Sequence, residues 1–384
     1  MANTNLTSAK RAKNDEFYTQ FTDIQKEIEA YLEYDPDTFH GKVVYCNCDD
    51  PFESNFFRYF VLNFKRLGLK RLITTSYKPS PVANTQLSLF GTDVTLPPAK
   101  GRPKVTANKF VISDVGDING DGSFTLADIA EQLKANQHNE WHPLAGDGDF
   151  RSPECIELLK QSDIVVTNPP FSLFREYVAQ LVEYGKKFLI IGNMNLLSKK
   201  EIFPLIKDNK MWFGPSITSG DREFQVPETY PLQASGWRVD DKGNKFIRVK
   251  GVRWYTNLDH GRRHQPLSLM SMADNRKYNK KIIKDKYSYV QYVNYDAIEV
   301  PFTDAIPSDY VGAMGVPITF IDKYNPDQFE IIGVSLRLGK SMSDIAPKGS
   351  YQQGGPSFYA DNGDGTYKRL YDRIIIMHKG LKLD

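Results

Sequence analysis

Cysteine is scarce: Cys46, Cys48 and Cys155 are the only three in 384 residues. An odd, small number argues against a disulfide framework, and Cys46-Asn47-Cys48 has the spacing of neither a zinc knuckle nor a thioredoxin-like motif. The three read as reduced core thiols. Long apolar runs are missing as well. No stretch approaches the ~20 residues needed to span a bilayer, and the polar opening MANTNLTSAKRAKNDE lacks the apolar core of a secretory signal. The chain therefore reads as cytoplasmic, with no membrane partner. An excess of one charge is also lacking. Lys and Arg number 49 against 47 Asp and Glu, a net +2, so any nucleic-acid contact must come from local basic patches. Length is not lacking: 384 residues exceed what one typical core supports, which implies two domains or one elaborated domain.

The order of apolar segments implies an α/β fold. Ile24, Ile28, Tyr31 and Leu32 recur at helical spacing over residues 23–34. The run from Val43 to Cys48 reads as a buried strand that ends at Asp49-Asp50-Pro51-Phe52, followed by an aromatic-rich helix over about 54–67 and a strand over 71–76. Strand, helix and strand in that order begin an open parallel sheet, whose ligands sit at the strand C-termini. Residues 78–108 interrupt the rhythm, with Pro79, Pro81, Pro97, Pro98 and Pro103 among polar residues, as a long exposed loop would. The sheet pattern resumes over 147–150, with a helix over 153–161, a strand over 163–167, a helix over 173–184 and a strand over 187–191. Beyond about 210 the segments are short, β-branched and aromatic, with helical period only near 273–286. The expected division is a catalytic domain over 1–210 and a β-rich, irregular region over 211–384, with some strands free to return to the main sheet.

Asn168-Pro169-Pro170-Phe171 leaves the strand at 163–167 in an unusual way. Prolines donate no hydrogen bond and hold the backbone extended, so the Asn168 side-chain oxygen and the Pro169 carbonyl can both face the crevice as acceptors. Two acceptors suit one planar NH2 group. The amine on adenine is a poor nucleophile because its lone pair is delocalised, and accepting from both its hydrogens favours the pyramidal form that attacks an electrophile. Phe171 would stack on the base, as an enzyme that extrudes a base requires. The same tetrapeptide also serves as a plain rigid turn. Cytosine N4, an RNA base or a glutamine side chain presents the same NH2 geometry.

These segments occur in a telling order: Asp15-Glu16-Phe17-Tyr18-Thr19, then Asp50-Pro51-Phe52, then Gly148-Asp149-Phe150, then Asn168-Pro169-Pro170-Phe171. With CNCDDPFESNF, SDIVVTNPPFSLFREY, VRWYTNLDHGRR and MGVPITFIDKYNPDQFEIIG, the chain resembles the adenine-specific DNA methyltransferases of the EcoRI methylase family over most of its length. The resemblance implies a Rossmann-like class I methyltransferase sheet with a β-rich DNA-recognition region. It further implies that a target adenine in double-stranded DNA is flipped and receives a methyl on N6 directly from S-adenosylmethionine. Residue by residue, Asp50, Pro51 and Phe52 would lie against the cofactor, Tyr18 and Thr19 would close over its methionine end, and Asp149 and Phe150 would flank its adenine. Asn168, Pro169, Pro170 and Phe171 would hold the target base. The second strand ends Thr74-Thr75-Ser76 where an acid usually receives the ribose hydroxyls, which leaves Asp49 or Glu53 for that role. No cysteine follows a proline, so the covalent route to cytosine C5 is disfavoured. A DNA-binding protein without catalysis is the reading from another class, and retention of both motif sets speaks against it.

Basic residues supply the expected DNA contacts. Lys100-Gly101-Arg102-Pro103-Lys104 resembles a minor-groove arm, in which Arg102 and Lys104 would enter an A·T tract. Arg248, Lys250 and Arg253 are interleaved with aromatic residues, Arg262 and Arg263 follow closely, and a run from Arg276 to Lys286 could track phosphates. Residues 117–128 carry oxygen ligands Asp117, Asn119, Asp121, Thr125 and Asp128 at the spacing of a calcium loop, with glycine at the sixth position. Such a calcium ion would be structural. The competing reading is an Asx-rich turn that caps the following helix.

Overall fold

Val43, Val44, Tyr45 and Cys46 are all buried, as a strand covered on both faces requires. In the computed structural model, which describes residues 19–48, 54–77, 107–118, 120–135, 139–218, 220–226, 236–284, 289–352 and 357–380, they form β1 (Val43–Cys46). Helix α1 (Phe21–Tyr34) precedes it and buries Ile24, Ile28 and Tyr31 of the periodic set, with Leu32 half-buried. Helix α2 (Asn55–Leu62) follows and buries Phe56, Phe57, Tyr59, Phe60 and Val61. Its start is fixed by Ser54, whose hydroxyl accepts the Phe57 amide at 3.3 Å.

Then come β2 (Arg71–Thr75), β3 (Asn108–Ile112), α3 (Leu126–Ala135), β4 (Asn139–Pro143), α4 (Pro153–Gln161), β5 (Ile164–Thr167), α5 (Phe174–Glu183) and β6 (Lys187–Asn193). The strands β7 (Trp212–Phe213), β8 (Asp221–Val226), β9 (Arg238–Val239), β10 (Lys245–Lys250) and β11 (Val252–Thr256) complete this part. One eight-stranded sheet has the order β4-β3-β2-β1-β5-β6-β11-β7. Its central strands β2, β1, β5 and β6 are parallel, while β3, β4, β11 and β7 join antiparallel. This large mixed α/β sheet fits a class I methyltransferase fold. The open parallel sheet expected from sequence is thus its centre, flanked by antiparallel strands on both sides. Residues 147–150 form no strand either, because Gly148 takes φ +77° and the Asp149 amide turns onto Asp147 Oδ1 at 3.1 Å.

The described chain divides into two compact units, residues 1–202 with 211–260, and residues 203–210 with 261–384. The boundary expected at 210 thus moves to about 260, because β7 and β11 pair into the main sheet and Trp254 of β11 is fully buried in its core. The strands β8, β10 and β9 form a three-stranded antiparallel sheet, whose inner face packs Phe224, Val226, Ile247 and Val249 on the same core. The second unit holds β12 (Ile298–Glu299), β13 (Met314–Pro317), β14 (Phe329–Val334), β15 (Tyr359–Asp361), β16 (Tyr367–Arg369) and β17 (Arg373–His378). Four of these form a sheet in the order β12-β13-β17-β14, and β15 pairs with β16. The helical period near 273–286 resolves into two short helices, Met272–Tyr278 and Lys280–Lys284, which break at Asn279. Most of the expected loop over 78–108 lies outside the described residues, although Asn108 already begins β3. Among the described residues no helix is long and apolar enough to cross a membrane.

Candidate active site

The parallel strands β1, β2 and β5 end at one edge of the sheet, where open α/β sheets bind ligands. The register Tyr45 to Val165 puts Asn47, just beyond β1, level with Thr167, the last residue of β5. There the Thr167 hydroxyl donates to the Asn47 carbonyl, and the Tyr177 hydroxyl, from α5, donates to Asn47 Oδ1. Burial pushes the Tyr177 hydroxyl well above its ordinary pKa, so it stays a neutral donor. Sequence reasoning missed these three residues. Their one signal is polarity: Asn47 and Thr167 are the polar residues in otherwise apolar runs, and both are buried.

The base-side loop begins at the next residue. Asn168 is 6% exposed and Pro169 is buried, while Pro170 and Phe171 are half-buried, with Phe171 packed against the main core. The Leu173 amide donates to the Pro170 carbonyl at 2.9 Å, which closes the loop into α5. The loop is therefore short and anchored at both ends.

On the cofactor side, Tyr18, Asp49, Asp50, Pro51 and Phe52 lie outside the described residues. Thr19 is buried, and its carbonyl accepts Asn55 Nδ2 at 2.8 Å, so it sits at the start of α2, the helix that follows β1. Its hydroxyl has no hydrogen-bond partner among the described residues, and neither has that of Thr74 near the end of β2. Thr75 and Ser76 are already engaged, with Tyr45 at 3.0 Å and the Asn108 amide at 2.8 Å. Buried hydroxyls with spare capacity at this edge fit a polar cofactor such as S-adenosylmethionine.

The segment 147–150 packs on the same edge. A Cβ at Gly148 would stand 1.9 Å from the Ser76 carbonyl oxygen, so only glycine permits this approach. The Asp149 carboxylate accepts Arg151 Nε at 2.9 Å and Nη2 at 2.7 Å. These hydrogen bonds to Arg151 hold the Asp149 carboxyl below the usual carboxylate range, so it is ionised at neutral pH. Phe150 stands edge-on to the Tyr177 ring at 4.9 Å, and its carbonyl accepts Gln180 Nε2 at 3.1 Å. Helix α5 thus braces Asn47 and Phe150 from one face.

The expected DNA-contacting residues separate into classes. Arg102 and Lys104 lie outside the described residues. Arg248 and Lys250 are exposed on the outer face of β10, opposite Glu223 and Asp221 of β8. Arg262 is half-buried and lines a cavity of about 260 Å³ with Leu267, Asp304 and Lys323. Arg253 and Arg263 are instead buried. Arg253 donates to the carbonyls of Val252 and Thr218, both at 2.8 Å, and Arg263 donates to Asn209 Oδ1. Guanidinium groups committed inside the fold are not presented to a duplex, which corrects the expectation for these two.

The loop over 117–128 uses its carboxylates as turn and cap acceptors. Asp117 accepts the amides of Gly120 at 2.7 Å and Gly122 at 2.8 Å, and Asp121 accepts that of Ser123 at 2.8 Å. Asp128 accepts the amides of Ile118 at 3.0 Å and Thr125 at 2.8 Å, and also the Thr125 hydroxyl at 2.9 Å. Asn119 lies outside the described residues. Among the described residues no three His, Cys, Asp or Glu side chains gather as metal ligands. Both oxygens of Asp128, in the first turn of α3, thus turn back onto Ile118 and Thr125 before the helix, the arrangement of a helix cap.

Comparison with known proteins bears on the whole chain. The family model described as "Adenine-specific methyltransferase EcoRI" matches residues 5–379. The chain is 44% identical over 346 residues to the type II methyltransferase M.EcoRI of Escherichia coli, covering 90% of this chain and 92% of that one. It is 35% identical over 373 residues to the type II methyltransferase M.MpnI of Mycoplasma pneumoniae, covering 97% of each. No solved structure matches.

Proposed function

The chain belongs to the EcoRI family of adenine-specific methyltransferases, and from that premise we propose that it methylates N6 of a flipped adenine at a specific site in duplex DNA. S-adenosylmethionine supplies the electrophilic methyl, which moves directly to N6 and leaves S-adenosylhomocysteine. The protein contributes position and hydrogen bonding. Asn168 Oδ1 and the Pro169 carbonyl accept the two N6 hydrogens, which localises the amine lone pair toward the methyl, and one N6 proton is released to solvent after transfer. Phe171 stacks on the flipped ring. Thr19, Asp149 and Phe150 take the cofactor side with Asp50-Pro51-Phe52. Arg248 and Lys250 of the first unit, and Arg262 of the second, neutralise phosphates with their guanidinium and ammonium groups.

The observation that carries this reading is the position of Asn168: buried, on a short anchored loop, directly after the strand that adjoins β1. The test is transfer of tritiated methyl from S-adenosylmethionine to unmethylated duplex DNA, with the product base identified. Wild type is expected to give N6-methyladenine at a defined site, and Asn168→Ala to lose roughly 100- to 1,000-fold in kcat. Label in cytosine, RNA or protein, or full activity in the variant, would refute it.

A further inference from the structure

We infer that Asn47 is a shared anchor for the two halves of the site, held by Thr167 and Tyr177 as positioning residues, so that the cofactor-side turn and the base-side loop are set by one buried hydrogen-bonded cluster. The inference deepens the proposed methyl transfer and rests on it. Each member has a distinct attachment. Asn47 leads out of β1 and stands three residues before Asp50, Thr167 ends β5 immediately before Asn168, and Tyr177 lies on α5, which the base-side loop enters. Asn47 is 4% exposed and the other two are fully buried, so their polar groups have no water to fall back on.

The two hydroxyls grip different atoms of Asn47: Thr167 its carbonyl and Tyr177 its side-chain oxygen. That fixes both backbone and side chain of a single residue. The adjoining Cys48 has φ +74°, in the left-handed region that β-substituted residues avoid and that persists only where the surroundings impose it. The grip on Asn47 is such a constraint, one residue before the turn at Cys48. Tyr177 reaches the third segment too, through its ring contact with Phe150. A buried polar cluster of this kind specifies one arrangement where an apolar cluster of equal volume would tolerate several.

The test uses the full-length protein, S-adenosylhomocysteine as the binding probe, and the duplex methyl-transfer assay. Tyr177→Phe and Thr167→Val each delete one hydroxyl and leave Asn47 short of a donor, and each is expected to weaken S-adenosylhomocysteine binding ~10-fold. Thr167→Val, next to Asn168, is expected to lower kcat by a similar ~10-fold. Duplex DNA affinity measured without cofactor is expected to stay within ~2-fold of wild type. Adding Tyr177→Phe to Asn47→Ala should cost nothing more, since Tyr177 acts through Asn47. Glycine adopts the left-handed turn unaided, so Cys48→Gly should restore most of the affinity lost in Tyr177→Phe. A lowered melting temperature with S-adenosylhomocysteine affinity and kcat unchanged would reduce the cluster to packing and overturn the inference. If Tyr177→Phe does not fold, Thr167→Val decides by the same readouts. An active wild type with unaffected variants defeats the inference alone, whereas a wild type that neither binds the probe nor methylates duplex DNA defeats the proposed function and this inference with it.

Discussion

One chemical pair, an arginine forked onto a carboxylate, occurs in this protein in opposite settings. In the first unit Arg151 grips Asp149 from two residues away, beside the candidate site, with side-chain exposures of 50% and 20%. In the second unit Arg373 of β17 grips Glu299 of β12 with exposures of 11% and 2%, and β13 lies between their strands. The Tyr292 hydroxyl also donates to Glu299. The exposed pair can exchange its partner for water at little cost, so it sets a local charge and shapes a loop. The buried pair has no such exchange, and its value lies in joining segments far apart in sequence. Charge near the site is thus used for position, and charge in the second unit for holding irregular strands together.

The sharpest way to break this contrast is to remove one buried partner. Arg373→Met should cost about 3–5 kcal/mol of stability, because it leaves Glu299 buried with Tyr292 as its remaining hydrogen-bond donor among those described. Denaturant unfolding measures it. The double variant Arg373→Met, Glu299→Leu should recover most of the loss, since the cost lies in the stranded charge and not in the missing attraction. A single-variant loss below about 1 kcal/mol would place Glu299 in a far more polar setting than its burial implies.

A smaller effect is expected from the loop that carries the exposed pair. Gly148→Ala meets the Ser76 carbonyl oxygen at 1.9 Å and must also hold φ +77°. Strain of this kind is worth about 1–3 kcal/mol. The loop can shift to relieve it, so the loss should divide between melting temperature and S-adenosylmethionine affinity. Calorimetric titration against the cofactor separates the two. An unchanged affinity would detach residues 147–150 from the cofactor site.

What was legible in the sequence follows the same physics. The central strands β1, β2 and β5 are short apolar runs ended by Asp, Ser or Asn-Pro-Pro, and α1 and α2 carry clear periodicity, so the parallel core and the position of the loop at Asn168 could be read directly. The flanking strands could not. In β4, Asn139 to Pro143 at the sheet edge, only Asn139 is buried, and this strand has neither a β-branched run nor full alternation. The return of β11 to the sheet depends on pairing with β6 about 60 residues earlier, which no local pattern encodes. Arg253 illustrates the limit at residue level. Among basic and aromatic neighbours it reads as a surface contact, yet its strand is buried on both faces. Asn47 shows only its polarity and Tyr177 nothing for a related reason, since their pairing arises from a meeting across 130 residues.

The mildest test returns to Asp149. Hydrogen bonds from Arg151 lower its carboxyl pKa in the folded protein. As pH falls, the unfolded chain therefore takes up this proton first. The stabilisation is fully present above the unfolded value of about 3.9 and is lost as pH falls through the lower folded value. Because Arg151 is half exposed, solvent screening limits the pair to about 0.2–1 kcal/mol. Asp149→Asn should lower stability by that small amount at pH 7, and the difference from wild type should shrink as pH falls below about 3.9. Denaturant midpoints taken at pH 7 and in acid would show it. A difference that persists in acid would mean that the carboxylate acts through the shape of the loop, through the Arg151 amide it accepts at 2.8 Å, and not through charge. The exposed pair would then resemble the buried one in kind, with segment joining as the common function and burial deciding only its size.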